Sequence, residues 1–112
     1  MNNAQIDRLL SSIPEKTEPR HLKRVRGYAT TARRIDRRIA VLRDDLERAL
    51  RAVDDAVEAD GDADAAADEA LALARELDAL ERIQPRVDSW LRVAVGAVAD
   101  DPGLAPFGEG PV

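Results

Sequence analysis

The chain has 112 residues, no cysteine and a net charge of −5. This length allows one domain at most, and the lack of cysteine excludes disulfide and thiolate chemistry. No segment reaches the roughly 20 apolar residues of a membrane span, and the first residues lack the basic flank and apolar run of a secretory signal. We therefore expect a protein of the cytoplasm, or of a particle assembled there. Alanine supplies 20 residues of the 45% hydrophobic content. Because alanine buries little area, we expect a second copy to complete the core.

The N-terminal segment predicts a short helix over about residues 3–12. Asn2 and Gln5 have the three-residue spacing of a capping box, in which each side chain accepts a hydrogen bond from the backbone of the other. Thr17 is expected to cap the next helix, and Pro19 is tolerated in the first turn of that helix.

A seven-residue repeat of apolar side chains predicts one long helix over about residues 18–59. Val25 and Tyr28 start the repeat, which then continues through five heptads, the pattern of a helix with a narrow apolar seam. Gly27 is the one position inside this helix where a bend is expected. Gly61 suits the end of the helix, and Asp62 or Asp64 suits the cap of the next one.

The second half of the chain predicts another striped helix over about residues 65–98, which Pro85 should kink or split. A short connection between two long helices predicts an antiparallel hairpin, with the first helix folded over its open end. The expected fold is thus an all-α, coiled-coil-like hairpin within one domain, residues 1–99, completed as an oligomeric bundle. The residues predicted to form its core or oligomer seam are Val25, Tyr28, Ala32, Ile35, Ile39, Leu42, Leu46, Leu73, Leu77, Leu80, Val87, Trp90 and Leu91.

Residues 100–112 contain three prolines and three glycines, which exclude a continuous helix. Two interpretations remain for this segment. It is either a frayed tail or an arm that docks on a neighbouring subunit through Leu104 and Phe107.

Charge is sorted along the chain. Residues 1–53 carry 13 basic and seven acidic side chains, whereas residues 54–112 carry four and 15. The densest basic stretch comprises Arg20, Lys23, Arg24, Arg26, Arg33, Arg34, Arg37 and Arg38. Three interpretations fit it: a solvated helix face, a contact that sets the register of self-association, or a site for the phosphates of a nucleic acid.

The sequence offers little for catalysis. It has one histidine, no cysteine and no glycine-rich phosphate loop, so we expect no catalytic residues, no cofactor and no small-molecule substrate. Glu18 and His21 have the spacing of a carboxylate-bridged metal site, but they stand among cations. The acids after Gly61 lack the pattern of a calcium loop. We expect no metal.

These features predict a structural or assembly protein that associates with itself and with other subunits, as an adaptor or scaffold of a larger complex such as a virion. The alternative is a nucleic-acid-binding protein that uses the Arg-rich stretch 20–38. Neither interpretation involves a membrane.

Overall fold

A computed structural model describes residues 1–100, and for residues 99 and 100 it describes the backbone alone. Three α-helices follow one another in this part of the chain: α1 (Asn3–Leu10), α2 (Pro19–Glu58) and α3 (Asp64–Asp100). The described residues contain no strand. α2 and α3 pack as a hairpin, so the all-helical hairpin that the sequence predicts is confirmed.

The start of α1 is fixed by the predicted capping box. The Asn2 side chain accepts a hydrogen bond from the Gln5 backbone N–H, and the Gln5 side chain accepts one from the Asn2 backbone N–H, both at 2.9 Å. Thr17, in contrast, does not cap α2. Its hydroxyl donates to the carbonyl of Pro14 at 2.7 Å and closes the turn between the two helices. Pro19 is the first residue of α2, where its missing N–H leaves no donor unsatisfied.

The end of α2 is a Schellman motif. The Gly61 N–H donates to the Ala56 carbonyl at 2.8 Å, and the Asp60 N–H donates to the Val57 carbonyl at 3.1 Å. Asp60 has a φ of 55° and takes the left-handed position that glycine usually occupies. The left-handed residue that ends α2 is therefore Asp60, and the predicted Gly61 follows it directly.

α3 continues without interruption through Pro85. The missing N–H of this proline does not split the helix, so the predicted split is wrong. The predicted kink stays a prediction. The Asp62 carboxylate accepts the backbone N–H of Asp64 at 2.8 Å and orients the first turn of α3.

The described residues group into two compact units, which we name by their helices. The three-helix unit comprises Met1–Asp36 and the described part of Gln84–Val112, and the two-helix unit is Arg37–Ile83. In the three-helix unit, α1 supplies a third layer beside α2 and α3. Its buried apolar residues are Ile6, Val25, Ala29, Ala32, Ile35, Val87, Leu91, Ala94, Val95 and Val98.

The two-helix unit consists of parts of α2 and α3 alone, as far as the described residues go. Its buried apolar residues are Ile39, Leu42, Ala49, Ala70 and Leu77, of which two are alanines. A pair of helices can bury only the strip where the two touch, so side chains at the edges of that strip keep contact with water. This unit therefore has a thinner core than the three-helix unit.

Candidate interaction surfaces

The predicted seam residues differ in how deeply they are buried. Val25, Ala32, Ile35, Ile39, Leu42, Leu77, Val87 and Leu91 are buried, whereas Tyr28, Leu46, Leu73 and Leu80 are half-buried. Trp90 is 49% exposed and is thus not a core residue of its unit. Its indole faces Tyr28, with ring centroids 6.0 Å apart and ring planes tilted by 53°, an arrangement that aromatic pairs favour. The role of Trp90 as an interface anchor stays a prediction.

A part-buried ion pair holds Met1 in the three-helix unit. The Met1 ammonium donates to Asp88 Oδ2 at 2.6 Å, and the Met1 and Asp88 side chains are 1% and 11% exposed. The second carboxylate oxygen of Asp88, Oδ1, is buried and has no hydrogen-bond partner among the described residues. Sequence patterns contain no signal for this pair, because its partners are 87 positions apart and one of them is the chain terminus.

The same unit has a polar interruption in its seam. Gln84 Nε2 donates to Asp36 Oδ1 at 3.3 Å, and both side chains are half-buried. Asp36 is the one acid within the predicted basic stretch, and this inward position removes it from the exposed side of α2.

The eight basic residues of that stretch do not form one surface. Arg33 turns inward and pairs with Asp7 of α1, and its guanidinium also donates to Asn3 at 3.1 Å. Arg37 and Arg38 belong to the two-helix unit, in which Arg38 pairs with Glu76 at 2.6 Å. Five residues remain on the exposed side of α2 in the three-helix unit, and we call them the basic face: Arg20, Lys23, Arg24, Arg26 and Arg34.

The basic face is poorly neutralised. Arg20 forms an exposed pair with Glu18 at 3.3 Å, whereas the other four side chains form no ion pair with any described residue. Exposed pairs of the Arg20 type contribute little stability, typically below about 1 kcal/mol. The basic face therefore keeps most of its positive charge available to a partner.

The turn of the two-helix unit has the opposite sign. We call residues 54–69 the acidic tip; its acids are Asp54, Asp55, Glu58, Asp60, Asp62, Asp64, Asp68 and Glu69. All eight are exposed, none forms an ion pair with a described residue, and no basic residue occurs between Arg51 and Arg75. The Schellman motif and the Asp62 hydrogen bond hold this charge on an ordered turn.

Two interhelical ion pairs mark the two flanks of the two-helix unit. Arg38 reaches Glu76 on one flank, and Arg43 reaches Glu81 at 3.7 Å on the other. Residues at seven-residue intervals lie on the same flank of a coiled coil. Leu50 and Val57 follow Arg43 at these intervals, so they lie on the Arg43 flank.

The Arg43 flank carries an apolar surface that α2 and α3 share. On α2, Leu46 and Val53 are half-buried, while Leu50 and Val57 are 51% and 61% exposed. On α3, Ala74 precedes Glu81 by seven residues. Leu71, which is 50% exposed, lies beside Ala74. We call these six residues the open face. The four α2 residues of the open face are spaced by four, three and four positions. This is the spacing of an apolar stripe through which one helix packs against another.

One carboxylate and one histidine lie close together at the start of α2. Glu18, which directly precedes α2, has its Oε2 atom 3.8 Å from Nε2 of His21 in the first turn, and both side chains contact solvent. No group of three or more histidine, aspartate or glutamate side chains in residues 1–100 is arranged to hold a metal ion. No helix in the described part of the chain is both long and apolar enough to cross a membrane. The predicted docking residues Leu104 and Phe107 lie outside the described residues.

Comparison with known proteins adds no relative. No family model, curated protein or solved structure matches the chain. The functional argument accordingly rests on the three surfaces above: the open face, the basic face and the acidic tip.

Proposed function

We propose that the chain is a non-enzymatic assembly subunit whose two-helix unit pairs with that of a second copy to form a four-helix bundle. The observation that carries the proposal is the open face, which leaves six apolar side chains of one flank partly in water. Two such flanks packed together would give each hairpin the missing layer, in the geometry of antiparallel helix bundles.

The contrast between the two units supports a second copy as the occupant. In the three-helix unit, α1 already supplies a third layer, and Ile6, Val25 and Leu91 are fully buried there. In the two-helix unit, no such layer is present among the described residues, and five apolar side chains are buried: Ile39, Leu42, Ala49, Ala70 and Leu77. Since both copies present the same six residues, the interface would be self-complementary, as a two-fold contact requires.

In this proposal the dimer is the building block of a larger complex. The half-exposed Trp90 and the basic face belong to the three-helix unit, whereas the open face belongs to the two-helix unit, and they would serve contacts with other subunits. The role of the chain would then be that of an adaptor or scaffold.

The variant Leu71→Asp tests the open face. A carboxylate at this half-exposed position stays in water in a monomer but becomes buried in the proposed bundle, so dimerisation should be lost. The matched control is Val41→Asp, at an exposed position on the outer side of α2, seven residues after Arg34. Light scattering gives the mass, and far-UV circular dichroism checks that helicity is retained.

The proposal is supported if Leu71→Asp is a helical monomer while Val41→Asp has the mass of the unmodified protein. It is refuted if both variants keep that mass, or if the unmodified protein is itself a monomer at every concentration. Leu50→Asp provides a second variant on the other helix if Leu71→Asp fails to fold.

The alternative function is nucleic-acid binding, which one observation favours: four side chains of the basic face have no ion pair among the described residues. Five cations could contact several phosphates, and the affinity would fall steeply with salt. The net charge of −5 and the eight acids of the tip would repel the same polyanion, so we rank this function second. Fluorescence anisotropy with single-stranded DNA at about 50 and 200 mM salt tests it.

A further inference from the structure

A groove lies in the three-helix unit between the end of α1, the turn that follows it and the first turns of α2. Its volume is about 330 Å³, which is within the range of clefts that bind ligands. Its apolar lining residues are Leu10, Ile13, Pro14, Leu22 and Val25. Leu10, Ile13 and Leu22 are half-buried, so part of their apolar surface remains in contact with water. We call this cleft the α1–α2 groove.

The surroundings of the α1–α2 groove are positively charged. Arg26 and Glu15 are the charged residues that line it. An adjoining cleft shares Arg26 and is also lined by Lys23 and Arg20. Neither Lys23 nor Arg26 forms an ion pair with any described residue. The groove therefore suits an occupant that has apolar and acidic side chains and no cations.

The segment 101–112 has this composition. It carries the apolar side chains of Leu104 and Phe107 and the carboxylates of Asp101 and Glu109, and it contains no lysine, arginine or histidine. Docking in the groove would remove the two apolar side chains from water together with the half-buried residues beneath them, which is favourable. The carboxylates would meet the cations beside the groove.

The last turn of α3 lies close to the α1–α2 groove. α2 and α3 are antiparallel, and Tyr28 on α2 contacts Trp90 on α3. Eight residues further along α3 and eight residues back along α2, the helices bring Val98 to the level of Arg20, because both rise by about 1.5 Å per residue. α3 therefore ends beside the first turns of α2, which line the groove.

The connection from α3 to the groove is long enough. α3 ends at Asp100, and an extended chain spans up to about 3.5 Å per residue, so the four residues to Leu104 can cover about 14 Å. Packed helices are only about 8–10 Å apart. Between these residues, Pro102 and Gly103 have the order that type II turns favour, which would direct the segment back along α2.

We infer that residues 101–112 dock in the α1–α2 groove of their own chain, with Leu104 and Phe107 on its apolar lining. A ligand that is tethered close to its site has an effective concentration in the millimolar range, which favours the groove of the same chain over that of a neighbouring subunit. The inference does not depend on the open-face dimer, because the groove and the end of α3 both belong to the three-helix unit.

A spin-label experiment tests this contact in the full chain. The chain has no cysteine, so Gly110→Cys provides a single attachment site for a nitroxide and leaves the apolar and acidic side chains of the segment unchanged. We expect the label to cause a loss of intensity in the backbone amide NMR signals of Ile13, Leu22 and Arg26, relative to the same sample after reduction of the nitroxide. Amide signals at Gly61, in the two-helix unit, provide the reference.

A variant with the label, Leu104→Ser and Phe107→Ser should largely recover these signals, because the two apolar contacts are lost. The matched control is Val112→Ser with the same label, which should keep the loss of intensity. Full intensity at Ile13 and Leu22 in the labelled protein would overturn the inference, as would an equal loss with and without the two serines.

A mixture of spin-labelled chains with isotope-labelled chains that carry no nitroxide distinguishes the two possible sites. Docking within one chain predicts full intensity in the mixture, whereas loss of intensity at Leu22 there would place the segment on a second copy and overturn the inference. The variant Leu71→Asp separates this contact from the proposed dimer. When it carries the label on the same chain, it should show the same loss of intensity even as a monomer.

Discussion

Replacing Leu50 by alanine should weaken dimerisation without weakening the helices. Leu50 is 51% exposed, so about half of its surface remains to be buried by a partner. Full burial of a leucine side chain contributes about 1.5–3 kcal/mol, and the remaining half therefore contributes about 1 kcal/mol per copy. A two-fold interface contains Leu50 twice, which gives about 2 kcal/mol, or roughly a 30-fold increase in the dissociation constant.

The monomer should not suffer from this substitution. Alanine has a higher helix propensity than leucine, and the side chain that is removed lies half in water. The matched control is Val41→Ala, which truncates a 43% exposed side chain on the outer side of the same helix. We expect the control to leave the dissociation constant within about twofold of that of the unmodified protein, a change of about 0.4 kcal/mol.

Sedimentation equilibrium gives the dissociation constants of the three proteins, and thermal unfolding followed by circular dichroism gives their stability. Equal dissociation constants for Leu50→Ala and the unmodified protein would refute the assignment of Leu50 to the interface. Equal weakening by Leu50→Ala and Val41→Ala would show that any exposed apolar residue contributes alike, and would refute the open face as a defined surface.

Three further substitutions test the local structure, each by thermal or denaturant unfolding at fixed protein concentration. Gly27→Ala should stabilise the chain by about 1 kcal/mol, because the position is inside α2 and an added Cβ meets no atom within 4 Å; an unchanged midpoint would contradict this. Asp60→Gly should also stabilise it by about 1 kcal/mol, since glycine adopts the left-handed conformation without strain; destabilisation would refute the Schellman assignment. Asp88→Asn should destabilise it by about 2 kcal/mol, because the part-buried Met1 ammonium loses its counter-charge; a loss below about 0.5 kcal/mol would contradict the role of this pair.

The sequence was sufficient to predict the elements that depend on local or periodic signals. The hairpin follows from two apolar stripes with period seven, and the cap of α1 follows from the spacing of Asn2 and Gln5. Both signals reflect interactions within one helix or between two facing stripes, so no long-range information is needed.

Features that depend on competition between neighbouring groups were not predictable. Thr17 has the chemistry of a helix cap, but its hydroxyl bonds the carbonyl of Pro14 instead. Asp60 takes the left-handed position one residue before the available glycine, because the last hydrogen bonds of α2 determine where the helix ends. Pro85 is accommodated within α3 without splitting it.

The candidate surfaces were partly predictable. The sequence indicates the Arg-rich stretch and the cluster of acids near the turn, since charge is visible in composition. It does not show that Arg33 pairs with Asp7 or that Asp36 turns inward, and these two changes define which cations remain exposed. The open face was not predicted. A seven-residue repeat shows which residues form the seam between two helices, but it does not show which flank of that seam lacks a covering helix.

The mass of the unmodified chain in solution is the most direct test of the central claim, that the open face pairs two copies. Light scattering should give twice the 12.2 kDa of the single chain, with dissociation on dilution. A mass of 12.2 kDa at every concentration and salt would contradict the claim and leave the open face without a second copy as its partner.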